Sequence, residues 1–291
     1  MTVVSFCSLK GAPGITTLAC LVGATWPAPR RAMVVECDSS GGDLVVRFQL
    51  SAKAGWTSFA ASARRAQSGV EIGPHLQQLP GGLEVLTGSV GPDGPEAVRS
   101  IAALLASAKS SPGGQWDVLI DLGRLIAGDG RAVACLNQSD AIVVGVRSDA
   151  ASVMHVRENA PRLFARYADR VGLAVIQSGC YSNAEIEEFT GIPAVGEVPS
   201  DPMAAAVATG ETSGKRRLRR SLLVPSAARL ASRLVQPAVA EDGRGITGKD
   251  LTNPGNRFAE VRQGNAVPDE AVPSCFKDQL ASRSGAERVL K

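Results

Sequence analysis

Short apolar runs alternate with stretches of helical apolar spacing through the first 235 residues of the chain. Six of the runs are bounded by polar or turn-forming residues, which is the pattern of buried strands. They span residues 2–7, 31–38, 83–88, 116–123, 139–147 and 172–177. Helical spacing occurs at 96–109 and 150–166, and a capping box at 182–185 opens another short helix. This alternation predicts an α/β fold with a mostly parallel central sheet.

Residues 236–291 break the alternation. They carry four prolines and balanced charge with little periodicity, so we expect a flexible C-terminal tail after a domain of residues 1–235. The whole chain of 291 residues is 44% hydrophobic but only 4% aromatic, which suits close packing of helices on a sheet. Six cysteines lie far apart without a Cys-x-x-Cys pair, which predicts reduced, buried thiols. No apolar run reaches the ~18 residues of a membrane span, and the N-terminus lacks a basic leader region, so we expect a cytoplasmic protein.

A glycine-bearing loop joins the first predicted strand to the first helix. Its sequence is Ser8-Leu9-Lys10-Gly11-Ala12-Pro13-Gly14-Ile15-Thr16-Thr17. A loop in this position directs backbone N–H groups and a helix N-terminus at an anion, as phosphate-binding loops do. The Thr16-Thr17 pair lies where such a loop provides a hydroxyl ligand for Mg²⁺. A Walker A loop has lysine before that hydroxyl, and here the position is Ile15.

Two carboxylates follow later strands. Asp38 ends the run 31–38 after Glu36-Cys37. Asp121 lies near the end of the run 116–123 in the Walker B pattern, whose carboxylate holds Mg²⁺. The carboxyl ends of parallel strands meet at one edge of a sheet, so both side chains are expected near the loop. Asp38 has an alternative interpretation as a turn or helix-cap residue.

These motifs, in this order, resemble the MinD/ParA family of P-loop NTPases, whose deviant Walker A motif is Lys-Gly-Gly-x-Gly-Lys-Thr-Thr. The positions that match are Lys10, Gly11, Gly14, Thr16 and Thr17, whereas Ala12 replaces a glycine and Ile15 replaces the Walker lysine. Gly123 matches the switch II glycine, with Leu122 and Arg124 where relatives often have proline. Residues 192–201 resemble a family segment that contacts the base or ribose. The resemblance covers residues 1–235 and implies the three-layer P-loop NTPase fold.

The resemblance also implies cofactors and roles. ATP and Mg²⁺ are the implied cofactors, with the nucleotide held by loop residues 10–17 and by Pro199 and Asp201. Gln177 stands where many relatives place an asparagine that reads adenine. Thr16, Asp38 and Asp121 are the implied Mg²⁺ ligands. The family lysine that matches Lys10 reaches across an ATP-sandwiched homodimer, and the family carboxylate that matches Asp38 contacts the Mg²⁺ shell or orients the attacking water. The resemblance therefore implies Lys10 and Asp38 as the catalytic candidates.

Basic charge is concentrated near the end of the domain. Residues 215–235 carry seven Lys and Arg and no acidic residue. Five of the seven lie in one hexapeptide, at Lys215, Arg216, Arg217, Arg219 and Arg220. A solvated face of the last helix, which has Pro225 in its first turn, explains this pattern about as well as contact with nucleic acid or an anionic membrane. The family resemblance favours DNA over a membrane, because family members bind membranes through terminal amphipathic helices and this segment is not terminal.

Three functions are consistent with the sequence. The first is an ATP-dependent dimerising switch that positions DNA or a protein complex and has weak or absent ATPase activity. The second is a pseudo-ATPase scaffold or regulator that no longer depends on nucleotide. A metabolic enzyme on the same fold has little support, because no substrate-binding motif accompanies the loop. Ile15 separates the first two, since the lysine it replaces stabilises phosphate charge.

Overall fold

Eight strands form a single sheet in the part of the chain that can be described. A computed structural model of the protein describes residues 1–11, 14–66, 69–89, 96–111, 115–212 and 214–235. The loop residues Ala12 and Pro13 and the predicted tail at 236–291 lie outside the described residues. The strand order is β3-β4-β2-β5-β1-β6-β7-β8, and every neighbouring pair is parallel except β3 and β4.

The strands are short and mostly buried. Their bounds are β1 (Val3–Ser8), β2 (Arg31–Glu36), β3 (Gln77–Gln78), β4 (Glu84–Leu86), β5 (Trp116–Arg124), β6 (Ala141–Arg147), β7 (Val171–Gln177) and β8 (Ala194–Pro199). All six predicted strands are present. The structure adds the two-residue β3 and the edge strand β8, which lies within the segment 192–201.

Helices connect the strands and cover both faces of the sheet. Their bounds are α1 (Ile15–Ala24), α2 (Leu44–Arg47), α3 (Trp56–Arg65), α4 (Glu96–Lys109), α5 (Gly130–Gln138), α6 (Ala150–Phe164), α7 (Asn183–Thr190), α8 (Pro202–Ala208), α9 (Lys215–Arg220) and α10 (Leu223–Val235). The predicted capping box is present, because Ser182 and Glu185 bond reciprocally at the start of α7. The basic hexapeptide and the last helix are two separate helices, α9 and α10, and Pro225 lies in the first turn of α10.

Two apolar layers hold the helices on the sheet. One contains side chains of α3 to α7, and the other contains side chains of α1, α8 and α10. Alternate residues of β5 face opposite layers, so Val118 and Ile120 lie in the first and Leu119 lies in the second. The same alternation turns Asp117 and Asp121 toward the α1 side of the sheet.

Asp117 lies at the amino end of β5, far from the loop, and has a structural role. It accepts hydrogen bonds from the backbone N–H of Thr2 (2.6 Å), the indole of Trp26 (2.8 Å) and the guanidinium of Arg30 (2.5 Å). Burial acts to raise the pKa of Asp117, but these bonds and the Arg30 charge hold it below its ordinary value. The network joins the chain start, the end of α1 and β5.

Four of the five thiols in the described ranges follow the prediction of buried cysteines, and Cys180 does not. Cys7, Cys20, Cys37 and Cys135 are buried, whereas Cys180, shortly after β7, is exposed, and all five are free of disulfides. Cys275 lies outside the described residues. None of the helices in the described ranges has the length and apolar character needed to cross a bilayer.

Candidate functional site

The loop after β1 ends in a helix N-terminus with exposed backbone donors. Gly14 occupies the N-cap of α1 with φ +81°, a left-handed conformation that favours glycine. The first hydrogen bond of α1 runs from the Leu18 N–H to the Gly14 carbonyl, at 2.9 Å. Within the described ranges, no side chain caps this end of α1. The N–H groups of the first turn are therefore free of a side-chain cap and, with the positive end of the helix dipole, suit an anion.

The loop side chains divide by exposure. Ile15 is only 5% exposed and belongs to the apolar layer beneath α1, so it presents no polar group to a ligand. Thr16 and Thr17 are half-buried, whereas Lys10 and Gly11 are exposed. The loop thus offers backbone donors and hydroxyls, and its one cation is Lys10 at the entry.

Asp121 is the most unusual side chain of the site. Its carboxylate is fully buried, and its Oδ1 accepts a hydrogen bond from the Gly123 N–H at 3.0 Å. Its Oδ2 is buried and has no hydrogen-bond partner among the described residues. Burial raises the pKa of Asp121 to about 7, the carboxylates Glu36 and Asp38 add to the rise, and the neighbouring Thr16 hydroxyl opposes it. A buried oxygen without a donor is costly, and a cation at this position would satisfy it.

Asp38 lies near Asp121 and packs against Gly123, two residues further along β5. A Cβ placed on Gly123 would fall 1.8 Å from the Asp38 Oδ2, so the Asp38 side chain fills the space that Gly123 leaves. Gly123 also has φ +57°, which few other residues adopt. The Asp38 Oδ1 accepts a hydrogen bond from the Ser40 N–H at 2.7 Å, which is the turn geometry of the alternative interpretation. The turn therefore fixes Asp38 in place, with its second oxygen at the end of β5.

Glu36 is a third buried carboxylate, and its role is to order neighbouring loops. Its Oε1 accepts hydrogen bonds from the N–H groups of Asp43 (2.7 Å) and Leu44 (3.0 Å), and its Oε2 accepts one from Gly88 (2.9 Å). Burial raises the pKa of Glu36, while these three N–H groups oppose the rise. Unlike Asp121, Glu36 has donors on both oxygens.

A cavity of about 270 Å³ opens beside the N-terminus of α1. Its lining combines loop residues with the ends of β6, β7 and β8 and the start of α8, and it is mostly apolar. The lining residues are Gly14, Thr17, Leu18, Leu21, Arg147, Ile176, Ser178, Val198, Pro199, Ser200, Asp201, Pro202, Ala205 and Leu223. Pro199 and Asp201, which the family resemblance implies as base or ribose contacts, therefore lie in one cavity with Gly14 and Thr17. Asp201 also caps α8, because its Oδ1 accepts a hydrogen bond from the Ala204 N–H at 2.9 Å.

Gln177 does not line this cavity. Its side-chain amide donates to the Asn183 Oδ1 at 3.1 Å, and Asn183 in turn donates to Glu197 at 3.3 Å. The next residue, Ser178, faces the cavity instead, together with Arg147, whose Nε donates to the Ser178 hydroxyl at 3.0 Å. Neither Arg147 nor Ser178 belongs to a motif that the sequence displays. The feature that could have identified them is their position at the carboxyl ends of β6 and β7, because ligands bind at that edge of parallel sheets.

The basic segment forms a short exposed helix beside the cavity. The side chains of Arg216, Arg217, Arg219 and Arg220 are exposed on α9, and nothing is described of the Lys215 side chain. Three of these arginines share an open space of about 480 Å³ with Asp201 and Ser221. Asp201 thus lies between the cavity and the basic helix.

The donor set suits Mg²⁺ bound with a nucleotide better than a metal bound by protein alone. No cluster of three or more His, Cys, Asp or Glu side chains that could enclose a metal occurs among the described residues. Mg²⁺ prefers oxygen and is usually held by one or two protein groups together with phosphates and water. The unpartnered Asp121 Oδ2 and the nearby Thr16 hydroxyl provide such groups.

The sequence matches no protein-family model and no curated protein, but solved structures share the fold. A ParA family ATPase from Chlorobium tepidum TLS is 17% identical with a TM-score of 0.63, covering 79% of this chain and 98% of that chain. A chain of the MinC:MinD cell division protein complex from Aquifex aeolicus is 15% identical with a TM-score of 0.63, covering 84% and 100%. The septum site-determining protein MinD from Pyrococcus horikoshii OT3, complexed with Mg-ADP, is 16% identical with a TM-score of 0.61, covering 84% and 99%.

These structural neighbours are MinD/ParA family ATPases. They confirm the three-layer P-loop NTPase fold and the resemblance to that family predicted from the sequence.

Proposed function

We propose that the protein is a nucleotide-binding switch of the MinD/ParA kind, which binds ATP with Mg²⁺ and positions DNA or a protein complex. The observation that carries this proposal is the buried, unpartnered Oδ2 of Asp121, beside Thr16 at the uncapped N-terminus of α1. The Mg-ADP bound to the similarly folded Pyrococcus horikoshii protein supports the same ligand class.

Each part of the site has a role in this proposal. The loop N–H groups and the dipole of α1 hold the phosphates, and the apolar cavity holds the base and ribose. Thr16 and Asp121 hold Mg²⁺, with Asp38 reaching its water shell or the attacking water. When bound, Mg²⁺ supplies charge that neutralises the phosphate oxygens.

The proposal is tested by nucleotide binding with and without Mg²⁺. Calorimetry of the wild type should show Mg²⁺-dependent ATP binding. Neither Asp38→Ala nor Asp121→Ala should show it. Asp169→Ala is the matched control, because the Asp169 side chain, shortly before β7, is 83% exposed. Mg²⁺-dependent binding that persists in both site variants would remove the assignment.

ATP turnover is expected to be slow or undetectable. Ile15 provides no cation where a Walker lysine would neutralise developing phosphoryl charge, and a missing charge-assisted contact in a partly dry site is costly. Lys10 is the exposed cation of the loop, and we propose that it acts within a nucleotide-linked homodimer. Hydrolysis and light-scattering mass should be measured for the wild type and Lys10→Ala, with and without Mg-ATP. Robust turnover that survives Lys10→Ala would contradict this mechanism.

A second function, a scaffold that no longer depends on nucleotide, is favoured by the burial of Ile15 in the apolar layer. It predicts a dimer whose mass is the same with and without ATP. The light-scattering experiment therefore separates the scaffold from the switch.

We further propose that the basic helix α9 binds DNA through its phosphates. Four exposed arginines on six residues, with the space beside them open, support this contact. Replacing Arg216, Arg217, Arg219 and Arg220 by Ala should weaken DNA binding at low salt and flatten its salt dependence. Absence of wild-type binding at about 50 mM salt would favour a solvated face, and flotation with anionic liposomes would then test a membrane contact.

A further inference from the structure

The phosphate-binding loop lacks a cation at the position where the phosphates need one. Ile15 replaces the Walker lysine and is 5% exposed within an apolar layer. Its side chain cannot neutralise a phosphate oxygen. If a nucleotide binds here, as the proposed function requires, another side chain must supply this charge or the site must function without it.

Arg124 lies directly alongside the loop. It is the last residue of β5, three residues after Asp121, and Ser8 pairs with it in the sheet. The Leu125 N–H donates to the Ser8 carbonyl at 2.8 Å, which fixes the end of β5 beside the start of the loop. The Arg124 Cδ lies 4.0 Å from the place that a Cβ on Gly11 would occupy. Its aliphatic stem therefore lies next to the loop, within van der Waals distance of Gly11.

The guanidinium of Arg124 is available for a ligand. Arg124 is exposed, and its side chain makes no hydrogen bond or ion pair within the described part of the chain. Arg147, the arginine that lines the cavity, is instead engaged by Ser178 at 3.0 Å and by Asp149 at 3.4 Å. A guanidinium also presents a planar fork of donors that matches two phosphate oxygens at once.

We propose that Arg124 supplies the phosphate-neutralising cation that the loop lacks, by contacting the terminal phosphates of the bound nucleotide. The charge would then come from the strand that carries Asp121 rather than from α1. This inference rests on the proposed nucleotide site and adds a residue that the sequence motif does not assign. Arg124 and the proposed Mg²⁺ ligand Asp121 would then lie three residues apart in β5, and both would act on the terminal phosphate, Arg124 directly and Asp121 through Mg²⁺.

The test compares binding of a non-hydrolysable ATP analogue and of AMP, both with Mg²⁺, by calorimetry. Arg124→Ala should weaken binding of the ATP analogue by about tenfold or more, since a hydrogen bond to a charged group contributes about 1.5–3 kcal/mol. Binding of AMP should stay unchanged, and Arg124→Lys should recover part of the loss. Arg162→Ala is the matched control, because it removes the same charge from an exposed position in the last turn of α6.

A second-site variant adds an independent measurement. Ile15→Lys should raise affinity for the ATP analogue more in the Arg124→Ala background than in the wild type, since the two cations would replace each other. Equal affinities of Arg124→Ala and Arg162→Ala, or an equal loss of AMP binding in Arg124→Ala, would overturn the role of Arg124 and leave the nucleotide site standing. A wild type that binds neither nucleotide would overturn the proposed function and this inference together.

Discussion

Replacing Asp121 by asparagine should stabilise the nucleotide-free protein at neutral and alkaline pH. The asparagine Oδ1 can still accept the hydrogen bond from the Gly123 N–H, which is 3.0 Å long in the wild type. The substitution removes the ionised, buried Oδ2, which has no partner. The chain therefore keeps the hydrogen bond from the Gly123 N–H and loses a charge that burial disfavours.

The magnitude follows from the pKa of Asp121, which burial raises from 3.8 to about 7. Because the folded-state pKa is above the unfolded value, the contribution of this carboxyl to stability is complete below pH 3.8 and falls as the pH rises toward 7. Each pH unit across this interval costs about 1.4 kcal/mol, so the wild type should lose roughly 2 to 3 kcal/mol between pH 5 and pH 8 from this group alone. The asparagine side chain does not titrate in this range, so Asp121→Asn avoids that loss.

The assay is urea unfolding followed by circular dichroism at pH 5 and pH 8, with EDTA present and nucleotide absent. The difference in unfolding free energy between Asp121→Asn and the wild type should shift by roughly 2 to 3 kcal/mol in favour of the variant on going from pH 5 to pH 8. Asp169→Asn, at an exposed aspartate, controls for the change in net charge. A difference that is the same at both pH values would mean that Asp121 is ionised in the fold at little cost, and that burial does not destabilise its charged form.

The two other buried carboxylates should respond in the opposite direction. In Glu36→Gln, the side-chain NH₂ group faces either the Gly88 N–H or the Asp43 and Leu44 N–H groups, so at least one backbone donor loses its acceptor. We expect the free energy of unfolding to fall by about 1–3 kcal/mol in the same urea assay. An unchanged urea midpoint would contradict the loop-ordering role of Glu36. Asp117→Asn removes the charge that the exposed Arg30 pairs with and leaves one of the bonded donors without an acceptor, so it should cost about 1–3 kcal/mol at pH 7. Because the pKa of Asp117 is lowered, that cost should be complete above its ordinary value of 3.8 and disappear in acid, and a loss that persists at pH 2 would point to packing instead.

Much of the fold could be predicted because its signals are local. The six buried strands are visible as apolar runs, and the capping box at Ser182 specifies the start of α7 from four adjacent residues. The edge strand β8 was not predicted as a strand. Its residues are only partly buried, and it pairs with β7 alone, so its strand character depends on a neighbour distant in sequence.

The motif residues of the candidate site could be predicted from the sequence, but the contacts that these residues make could not. Spacing identified Thr16, Asp38 and Asp121. Thr16 follows the loop after β1, Asp38 follows β2, and Asp121 lies near the carboxyl end of β5. The Asp121 Oδ2 is buried without a donor among the described residues, whereas Glu36 is buried with three. This difference depends on how the loops pack, which motif spacing does not specify. The proximity of Arg124 to the loop likewise depends on the left-handed backbone of Gly123 and on pairing between β1 and β5.

In the proposed switch, Thr16 and Asp121 hold a divalent cation beside a nucleotide at the N-terminus of α1. A crystal structure with a non-hydrolysable ATP analogue and Mn²⁺ in place of Mg²⁺ can show this site, since Mn²⁺ is located by its anomalous scattering. We expect an anomalous peak within coordination distance of the Thr16 hydroxyl, at the Asp121 carboxylate or one water away from it. The phosphates should contact the loop N–H groups, and the base should lie in the cavity beside Leu18. Crystals grown at millimolar analogue that show no nucleotide on the loop, or Mn²⁺ bound away from both side chains, would rule this site out.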